Sequence, residues 1–150
     1  MPLSSSLQIS ASGLTAERLR LDVISNNIAN ANTTRGADGL PYRRQQVLFA
    51  ARQEGSSFAS HLSHARGKVS ASGMGVEVTS VRPDLSTDFK MVKDPGNPDA
   101  DANGFVKMPN IEPVIEMVDL IASSRAYEAG VTAINAAKQM EQRALDIGRA

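Results

Sequence analysis

A heptad repeat of apolar residues runs through residues 3–36, LSSSLQISASGLTAERLRLDVISNNIANANTTRG. Leu7, Leu14, Leu21 and Ile28 lie seven residues apart, and this spacing keeps an apolar seam on one side of a slightly under-wound helix. A helix of about 28 residues is about 42 Å long, and it cannot bury such a seam against itself. The stretch therefore predicts a long N-terminal helix, ending near Ala31, that requires a partner helix.

The far end of the chain predicts a second long helix, from Glu112 to about Ile147. Pro113 suits its first turn, where a missing backbone N–H costs nothing. Small and apolar residues recur in steps of four and three and predict a broad face that another helix can approach closely: Ala126, Gly130, Ala133, Ala137, Met140, Ala144 and Ile147. A helix of an ordinary bundle would show the same periodicity.

The middle of the chain predicts short strands. Residues 42–49 and 76–81 are two of them, and residues 89–92 and 105–108 flank the turn-forming segment DPGNPDADANG, which predicts a hairpin with a long tip. The Ser-, Ala- and Gly-rich residues 50–75 have no sustained period and predict a flexible loop.

The predicted fold class is mainly α with a small β insert. We expect the long N- and C-terminal helices to pair as an antiparallel coiled coil, with a middle region that contains the β-hairpin. On this interpretation residues 1–36 and 111–150 form a discontinuous helical core, and residues 37–110 form a β-rich insert with a flexible loop at about 50–75.

Composition excludes several classes of protein. The 150 residues include 16 basic and 16 acidic side chains, so charge gives no argument for binding nucleic acid or an anionic membrane. No stretch approaches the ~20 apolar residues of a membrane span, so we expect no direct membrane insertion. The N-terminal MPLSSSLQIS lacks the features of a cleaved signal peptide. Only 4% of residues are aromatic, which favours a core completed by neighbouring chains.

Two patterns resemble metal sites. Asp99, Asp101 and Asn103 match the opening of an EF-hand loop, but a lysine and an asparagine occupy its ninth and twelfth positions, and prolines exclude the flanking helices. His61 and His64 could share one helix face, but no third ligand is close in sequence. We therefore interpret the acidic segment as a solvated turn and the histidines as exposed loop residues.

No pattern predicts catalysis. No serine lies in a G-x-S-x-G elbow, and the glycines of SASGMGVEV (residues 70–78) do not open a helix after a strand. We expect no enzyme, no cofactor, and no catalytic or metal-binding residue. The alternative hypothesis is a metal-dependent enzyme whose site is formed by the two histidines and the acidic segment.

Arg125, Tyr127 and Glu128 form a more suggestive cluster on the C-terminal helix. Arg125 and Glu128 could form a surface pair at i,i+3 spacing. A planar arginine and an amphipathic tyrosine are equally good interface anchors. The residues alone leave both interpretations open.

The two ends of the chain also carry a recognisable signature. ISNNIANANTTRG (24–36) resembles the N-terminal motif of the bacterial flagellar axial proteins, the rod and hook family, and EMVDLIASSRAYEAGV (116–131) resembles their C-terminal motif. YRRQQVLF, GVEVTSV and DPGNPDADANGFVKMPN, which lie between them in the same order, resemble a member of the proximal rod. The resemblance covers nearly the whole chain.

This resemblance implies a non-enzymatic structural subunit of the proximal rod in the flagellar basal body. Members are exported unfolded by the flagellar type III apparatus, without a cleaved signal peptide, and they assemble into the periplasmic drive shaft used for motility. Their terminal helices pack as a coiled coil lining the tube, and their partners are other rod proteins and copies of themselves. Two alternatives are another axial protein of the family and a helical binding or export-adaptor module that stays in the cytoplasm.

The resemblance and the heptad seam together predict the residues of assembly and helix packing. The N-terminal motif contributes Asn26, Asn27, Ile28, Ala29, Asn30, Asn32, Thr33 and Gly36. The seam contributes Leu7, Leu14 and Leu21, and the C-terminal motif and the helix after it contribute Arg125, Ala126, Tyr127, Glu128, Val131 and Ile134. The family usually has an asparagine where this chain has Gly130, and glycine cannot make the inter-helix hydrogen bond that the resemblance implies for that asparagine side chain.

Overall fold

The computed structural model describes residues 3–36, 38–52 and 73–148. Within these ranges the chain is mainly helical with a small β content, as the sequence predicts. The elements are, in order, α1 (Leu3–Ala29), β1 (Gln45–Ala51), β2 (Val76–Pro83), β3 (Lys90–Lys93), β4 (Phe105–Met108) and α2 (Pro113–Ile147). Most of the predicted flexible loop, residues 53–72, lies outside the described residues, and so do His61 and His64.

Helix α1 ends at Ala29, two residues earlier than the sequence predicts. The Asn30 N–H lies 3.1 Å from the Asn26 carbonyl and 3.2 Å from the Asn27 carbonyl, and the Asn30 side chain donates to the Asn26 carbonyl at 2.9 Å. The Asn30 N–H is thus shared between the carbonyls three and four residues before it, and the Ala31 N–H donates to the Ile28 carbonyl at 3.2 Å, so the last turn tightens to i→i−3 hydrogen bonds and stops.

The strands form two separate two-stranded sheets, β1–β2 and β3–β4. In the predicted hairpin, β3 pairs antiparallel with β4, with Lys90 opposite Met108 and Lys93 opposite Phe105. The hairpin tip is closed by Asp101, whose Oδ1 accepts from the backbone N–H groups of Asn103 and Phe105. Gly104 adopts a φ of 79°, which favours glycine at this turn.

The described chain divides into two compact units, each containing part of both terminal helices and part of the middle region. The first combines Met1–Arg18, Phe49–Thr79 and Arg125–Ala150, and the second combines Leu19–Leu48 and Ser80–Ser124. No helix within the described ranges is long and apolar enough to cross a membrane.

In the first unit, the start of β2 packs on α1 at Ser12. The Ser12 hydroxyl accepts from the Val76 N–H at 3.1 Å and donates to the Ile9 carbonyl at 2.7 Å. Gly75 lies directly against the Ser12 side chain with a φ of 102°, so a side chain there would be both strained and obstructed.

Helix α2 approaches α1 in the same unit at Gly130, where an added Cβ would lie 2.8 Å from Leu14 Cδ2. The predicted face of small residues is partly wrong. Ala137 is buried and Gly130 half-buried, but several of the other predicted members are exposed. These are Ala126, Ala133, Met140, Ala144 and Ile147.

Candidate functional site

Five residues of the second unit form a hydrogen-bonded network that we call the polar junction: Asn27, Tyr42, Arg44, Gln45 and Glu116. Two of them, Asn27 and Glu116, are buried. Asn27 comes from the last turns of α1, Glu116 from the first turn of α2, and the others from the start of β1 and the segment before it. The junction therefore links three parts of the chain that are distant in sequence.

Asn27 occupies the centre of the junction and uses its whole hydrogen-bonding capacity. Its Nδ2 donates to the Gln45 carbonyl at 2.9 Å and to Glu116 Oε2 at 3.0 Å. Its Oδ1 accepts from the Gln45 N–H at 2.9 Å and from the Tyr42 hydroxyl at 3.2 Å. An asparagine amide offers two donors and two acceptor sites, so all four are satisfied in a side chain that is 1% exposed.

Glu116 is a buried carboxylate, 1% exposed, with a partner on each oxygen. Arg44 Nε donates to Oε1, and Asn27 donates to Oε2. Arg44 also reaches Asp119 Oδ2 through Nη2 at 3.3 Å, one turn further along α2. A buried carboxylate requires such pairing, because an uncompensated charge in the interior is strongly destabilising.

The Tyr42 phenol is affected by the same surroundings. Burial raises the pKa of Tyr42 above its ordinary value, and the negative charge of Glu116 raises it further. The phenol therefore stays protonated at neutral pH and serves as the donor to Asn27.

A second cluster in this unit, the clamped loop (residues 84–87), lies beside the junction. Asn110 Oδ1 accepts from the Arg44 N–H at 2.9 Å, and its Nδ2 donates to the carbonyls of Asp84 at 3.2 Å and Thr87 at 3.3 Å. Arg43 Nη1 donates to the same two carbonyls at 2.9 and 3.2 Å, with its guanidinium 4.2 Å from the centre of the Phe89 ring. Two side chains thus fix the loop against the junction.

Asp84 organises the inside of this loop. Its carboxylate accepts from the backbone N–H and hydroxyl groups of Ser86 and Thr87, at distances from 2.6 to 3.3 Å. These hydrogen bonds, led by the Ser86 and Thr87 side chains, lower the pKa of Asp84 from 3.8 to about 2.

An open cavity of about 370 Å³ adjoins the junction within the second unit, with Ile24, Arg44, Glu116 and Ser123 in its walls. The buried Ser123 hydroxyl has no hydrogen-bond partner among the described residues. Each oxygen of the Glu116 carboxylate has a protein partner, and no cluster of three or more His, Asp or Glu able to hold a metal occurs in the described part of the chain. The cavity thus offers room for water or a side chain.

The acidic side chains of residues 99–101 make structural hydrogen bonds and an ion pair. Asp99 accepts from the Thr34 hydroxyl at 2.8 Å and lies 3.6 Å from Arg35 Nη1, and Asp101 closes the hairpin tip. The Asp99 contacts join the N-terminal motif to the hairpin within the second unit, and the Asp101 contacts stay within the hairpin tip.

The predicted assembly residues occupy three kinds of environment. Asn27 is buried in the junction. Half-buried positions are Leu7, Leu14, Leu21, Ile28, Asn30, Thr33, Tyr127, Val131 and Ile134. Exposed positions are Asn26, Ala29, Asn32, Gly36, Arg125, Ala126 and Glu128.

Sequence reasoning missed the partners of Asn27. The strand pattern of residues 42–49 gives Tyr42 and Arg44 no role, and no sequence pattern singles out Glu116 or Asn110. A signal was present in PVIEMVDLIA (113–122), because Glu116 and Asp119 are the two charged residues of an otherwise apolar helical segment. Two acids at i,i+3 spacing in such a segment indicate a cation on that face.

Comparison with known protein families gives two matches. Residues 7–37 match the family model "Flagella basal body rod protein", and residues 102–147 match "Flagellar basal body rod FlgEFG protein C-terminal". The first match includes Asn27, and the second includes Glu116, so both helical contributors to the junction lie in matched segments.

Curated relatives match nearly the full length of the chain. The flagellar basal-body rod protein FlgC of Bacillus subtilis is 47% identical over 96% of this chain and 97% of its own length. FlgC of Borreliella burgdorferi is 46% identical over 98% of both chains, and that of Salmonella typhimurium is 39% identical over 99% of this chain and all of its own. The chain therefore belongs to the FlgC family of flagellar basal-body rod proteins.

Proposed function

We propose that this chain is a structural subunit of the flagellar basal-body rod, in its proximal part, that assembles with other rod proteins and with copies of itself. The observation that carries the proposal is the match to FlgC proteins over 96–99% of the chain. We propose no enzymatic activity, because the role is to hold neighbouring subunits and to transmit torque.

The proposed packing of the terminal helices is an antiparallel pair. One contact inside each unit supports it: Leu14 lies against Gly130 in the first unit, and Asn27 binds Glu116 in the second. The α2 partner falls from position 130 to 116 as the α1 position rises from 14 to 27, which is the order that antiparallel helices give. We also propose that residues 1–36 and 111–150 form a helical core and that residues 37–110 form an insert.

We propose two roles for the predicted assembly residues. The half-buried seam residues pack the helices, and the exposed motif residues, such as Asn26, Asn32 and Arg125, contact neighbouring subunits. The polar junction would fix the register of the second unit, because a single buried polar position can select one helix alignment over its neighbours.

The proposed location is the periplasmic rod of the basal body. The subunit would be made in the cytoplasm and exported by the flagellar type III apparatus without a cleaved signal peptide. Family membership supports the basal-body location, and the low aromatic content supports a subunit whose core is completed by neighbours.

Substitution of the seam tests the proposal in a strain that lacks the chromosomal copy. Leu21→Asp and Ile28→Asp place a charge at half-buried seam positions, so we expect loss of motility while the subunit is still made. Ser25→Asp is the matched control, because Ser25 is exposed on the same helix, and we expect it to remain motile. Full motility of both seam variants would count against an axial structural role.

A further inference from the structure

Asn103, at the tip of the β3–β4 hairpin, is followed by Gly104, and no other asparagine of the chain precedes a glycine. Asparagine is among the chemically labile residues, because the backbone nitrogen that follows it can attack the carbonyl carbon of its side chain. Glycine at that next position obstructs the attack least, since it has no Cβ and the freest backbone. The Asn103 side chain is exposed, so water reaches it. Sequence and exposure together make residue 103 the position most open to this reaction.

The folded hairpin tip holds the attacking nitrogen in place. The Gly104 N–H donates to the Asp101 carbonyl at 2.9 Å, and the Gly104 carbonyl accepts from the Asp94 N–H at 3.0 Å. Asp101 Oδ1 accepts from the N–H groups of Asn103 and Phe105, each at 2.9 Å. To attack, the Gly104 nitrogen must turn towards Asn103 Cγ and give up its proton. The hydrogen bonds of the tip must therefore break before the reaction can start.

We propose that Asn103 is a site of spontaneous deamidation and that the closed hairpin tip protects it in the folded chain. When the tip opens, the Gly104 nitrogen forms a bond to Asn103 Cγ, and its proton leaves with the side-chain nitrogen as ammonia. Water then opens the resulting five-membered imide ring. Hydrolysis at Cγ gives aspartate, and hydrolysis at the main-chain carbonyl gives isoaspartate. The reaction needs only water and does not depend on assembly into a rod.

The modified tip cannot close in the same way. Either product adds a carboxylate two residues from Asp101, and like charges at so short a distance repel. In isoaspartate the main chain runs through Cβ and Cγ and is one carbon longer. The N–H groups on either side of that insertion then lose the spacing with which they meet Asp101 Oδ1 together. Deamidation therefore marks chains that have spent time unfolded and weakens the turn when they refold.

The same hairpin tip contains an internal control. Asn97 is followed by Pro98, whose nitrogen carries no proton, so Asn97 cannot form the ring in this way. Ammonia loss by ring closure should therefore occur at Asn103 and not at Asn97, even in the unfolded chain. A general hydrolysis of side-chain amides would affect both.

The first test incubates the purified full-length chain in isotope-labelled water at mildly alkaline pH, in native buffer and in guanidinium chloride. Peptide mass spectrometry measures uptake of the labelled oxygen at each asparagine, and methylation by an isoaspartyl methyltransferase detects isoaspartate. We expect conversion of Asn103 to be at least about tenfold faster in guanidinium chloride, because the reaction in native buffer waits for local opening of the tip. Asn97 should stay unchanged in both solvents.

A variant tests the part played by the tip. Asp101→Ala removes the acceptor of two tip N–H groups, so in native buffer Asn103 should be converted at least about tenfold faster than in the parent chain. In guanidinium chloride the two chains should react at the same rate. Asp88→Ala is the matched control, because it removes an exposed acid outside the tip, and it should keep the parent rate. Circular dichroism confirms that each variant is folded.

Each outcome decides a part of the proposal. Equal conversion of Asn103 in native buffer and in guanidinium chloride would overturn protection by the fold, and no conversion in guanidinium chloride would overturn the site. Equal conversion of Asn97 would overturn the ring-closure route. A folded Asp101→Ala chain that reacts as slowly as the parent would show that the tip hydrogen bonds do not protect Asn103. The comparison of solvents uses the parent chain alone, so it stands even if a variant fails to fold.

Discussion

The Asn27 side chain pairs with the backbone at the start of β1 in the way that a neighbouring strand would. Its side-chain amide exchanges both hydrogen bonds with the Gln45 backbone at 2.9 Å, as a neighbouring strand would. The same amide binds Glu116 on α2, so one side chain aligns a helix end, a strand start and a second helix. Replacing it by an aliphatic residue would leave several buried groups without partners.

The buried Glu116 in α2 and the exposed Glu112 just before α2 predict losses of different size for the same substitution. Glu116→Gln removes the charge that compensates Arg44, so we expect a loss of about 2 kcal/mol or more in the free energy of unfolding. Glu112→Gln breaks a pair with Lys90 whose side chains are both about half exposed, and we expect a loss below about 0.5 kcal/mol. Urea unfolding of the purified chains measures both, and equal losses would contradict a structural role for the junction.

The clamped loop predicts that the stability of the folded chain falls at acid pH. The pKa of Asp84 is about 2 in the folded chain and 3.8 without its partners, so the ionised form favours folding. This contribution is fully present above about pH 4 and is lost as the pH falls through about 2. A carboxyl NMR titration should give a pKa near 2 for Asp84 and a higher value in Ser86→Ala. An ordinary pKa in the parent chain would refute the loop geometry.

How far the sequence predicts single residues depends on where their partners lie. Asn27 was predicted from a motif, yet its role follows from Gln45, Tyr42 and Glu116, which lie 15 to 89 residues away. Periodicity reports the face of an element but not the side chain that the fold places opposite, so these partners could not be derived from spacing.

For helices and strands, the clearest hydrophobic patterns give the most accurate element bounds. The β4 strand and the end of α2 match the prediction, and α2 begins one residue later, at Pro113. β1 begins at Gln45, three residues after the predicted start, because the backbone N–H of Arg44 donates to the Asn110 side chain and its carbonyl accepts from Asp84. The Asn110 side chain and the Asp84 backbone N–H, from two distant segments, therefore hold Arg44 at that boundary.

The small-residue face of α2 was only partly predicted, for a related reason. Composition shows where another helix can approach, but which of the small residues it covers depends on the rotation of the helix. The structure covers Gly130 and Ala137 and leaves Ala126 and Ala133 exposed.

Two helical glycines test the contact between the terminal helices. Gly13 has no heavy atom within 4 Å of an added Cβ, so Gly13→Ala should stabilise the chain by about 1 kcal/mol through helix propensity. Gly130→Ala carries the same gain but crowds Leu14, so we expect little or no net stabilisation.

A double-mutant cycle isolates that contact. In a Leu14→Ala background, Gly130→Ala should recover a gain of about 1 kcal/mol, measured by thermal or urea unfolding. Identical effects of Gly130→Ala in both backgrounds would show that α1 and α2 do not meet at this position.

Over the molecule as a whole, the second unit buries several polar side chains beside its apolar core and exposes apolar residues at the start of α2. Glu116, Asn27, Asn110 and Ser123 are buried, while Val114, Met117, Val118 and Ile121 are exposed. This distribution is unfavourable for an isolated globular protein, because large apolar patches are usually covered, and it is expected of a subunit that completes its packing in an assembly. The family membership gives that assembly its identity as the flagellar rod.

Mass spectrometry of purified hook–basal bodies from the source organism tests whether the chain is a rod subunit. We predict that peptides of this chain remain in the rod fraction after stringent washing, together with other rod proteins. Their absence from that fraction, with the protein abundant in the cytosol, would contradict the claim and favour a cytoplasmic helical adaptor.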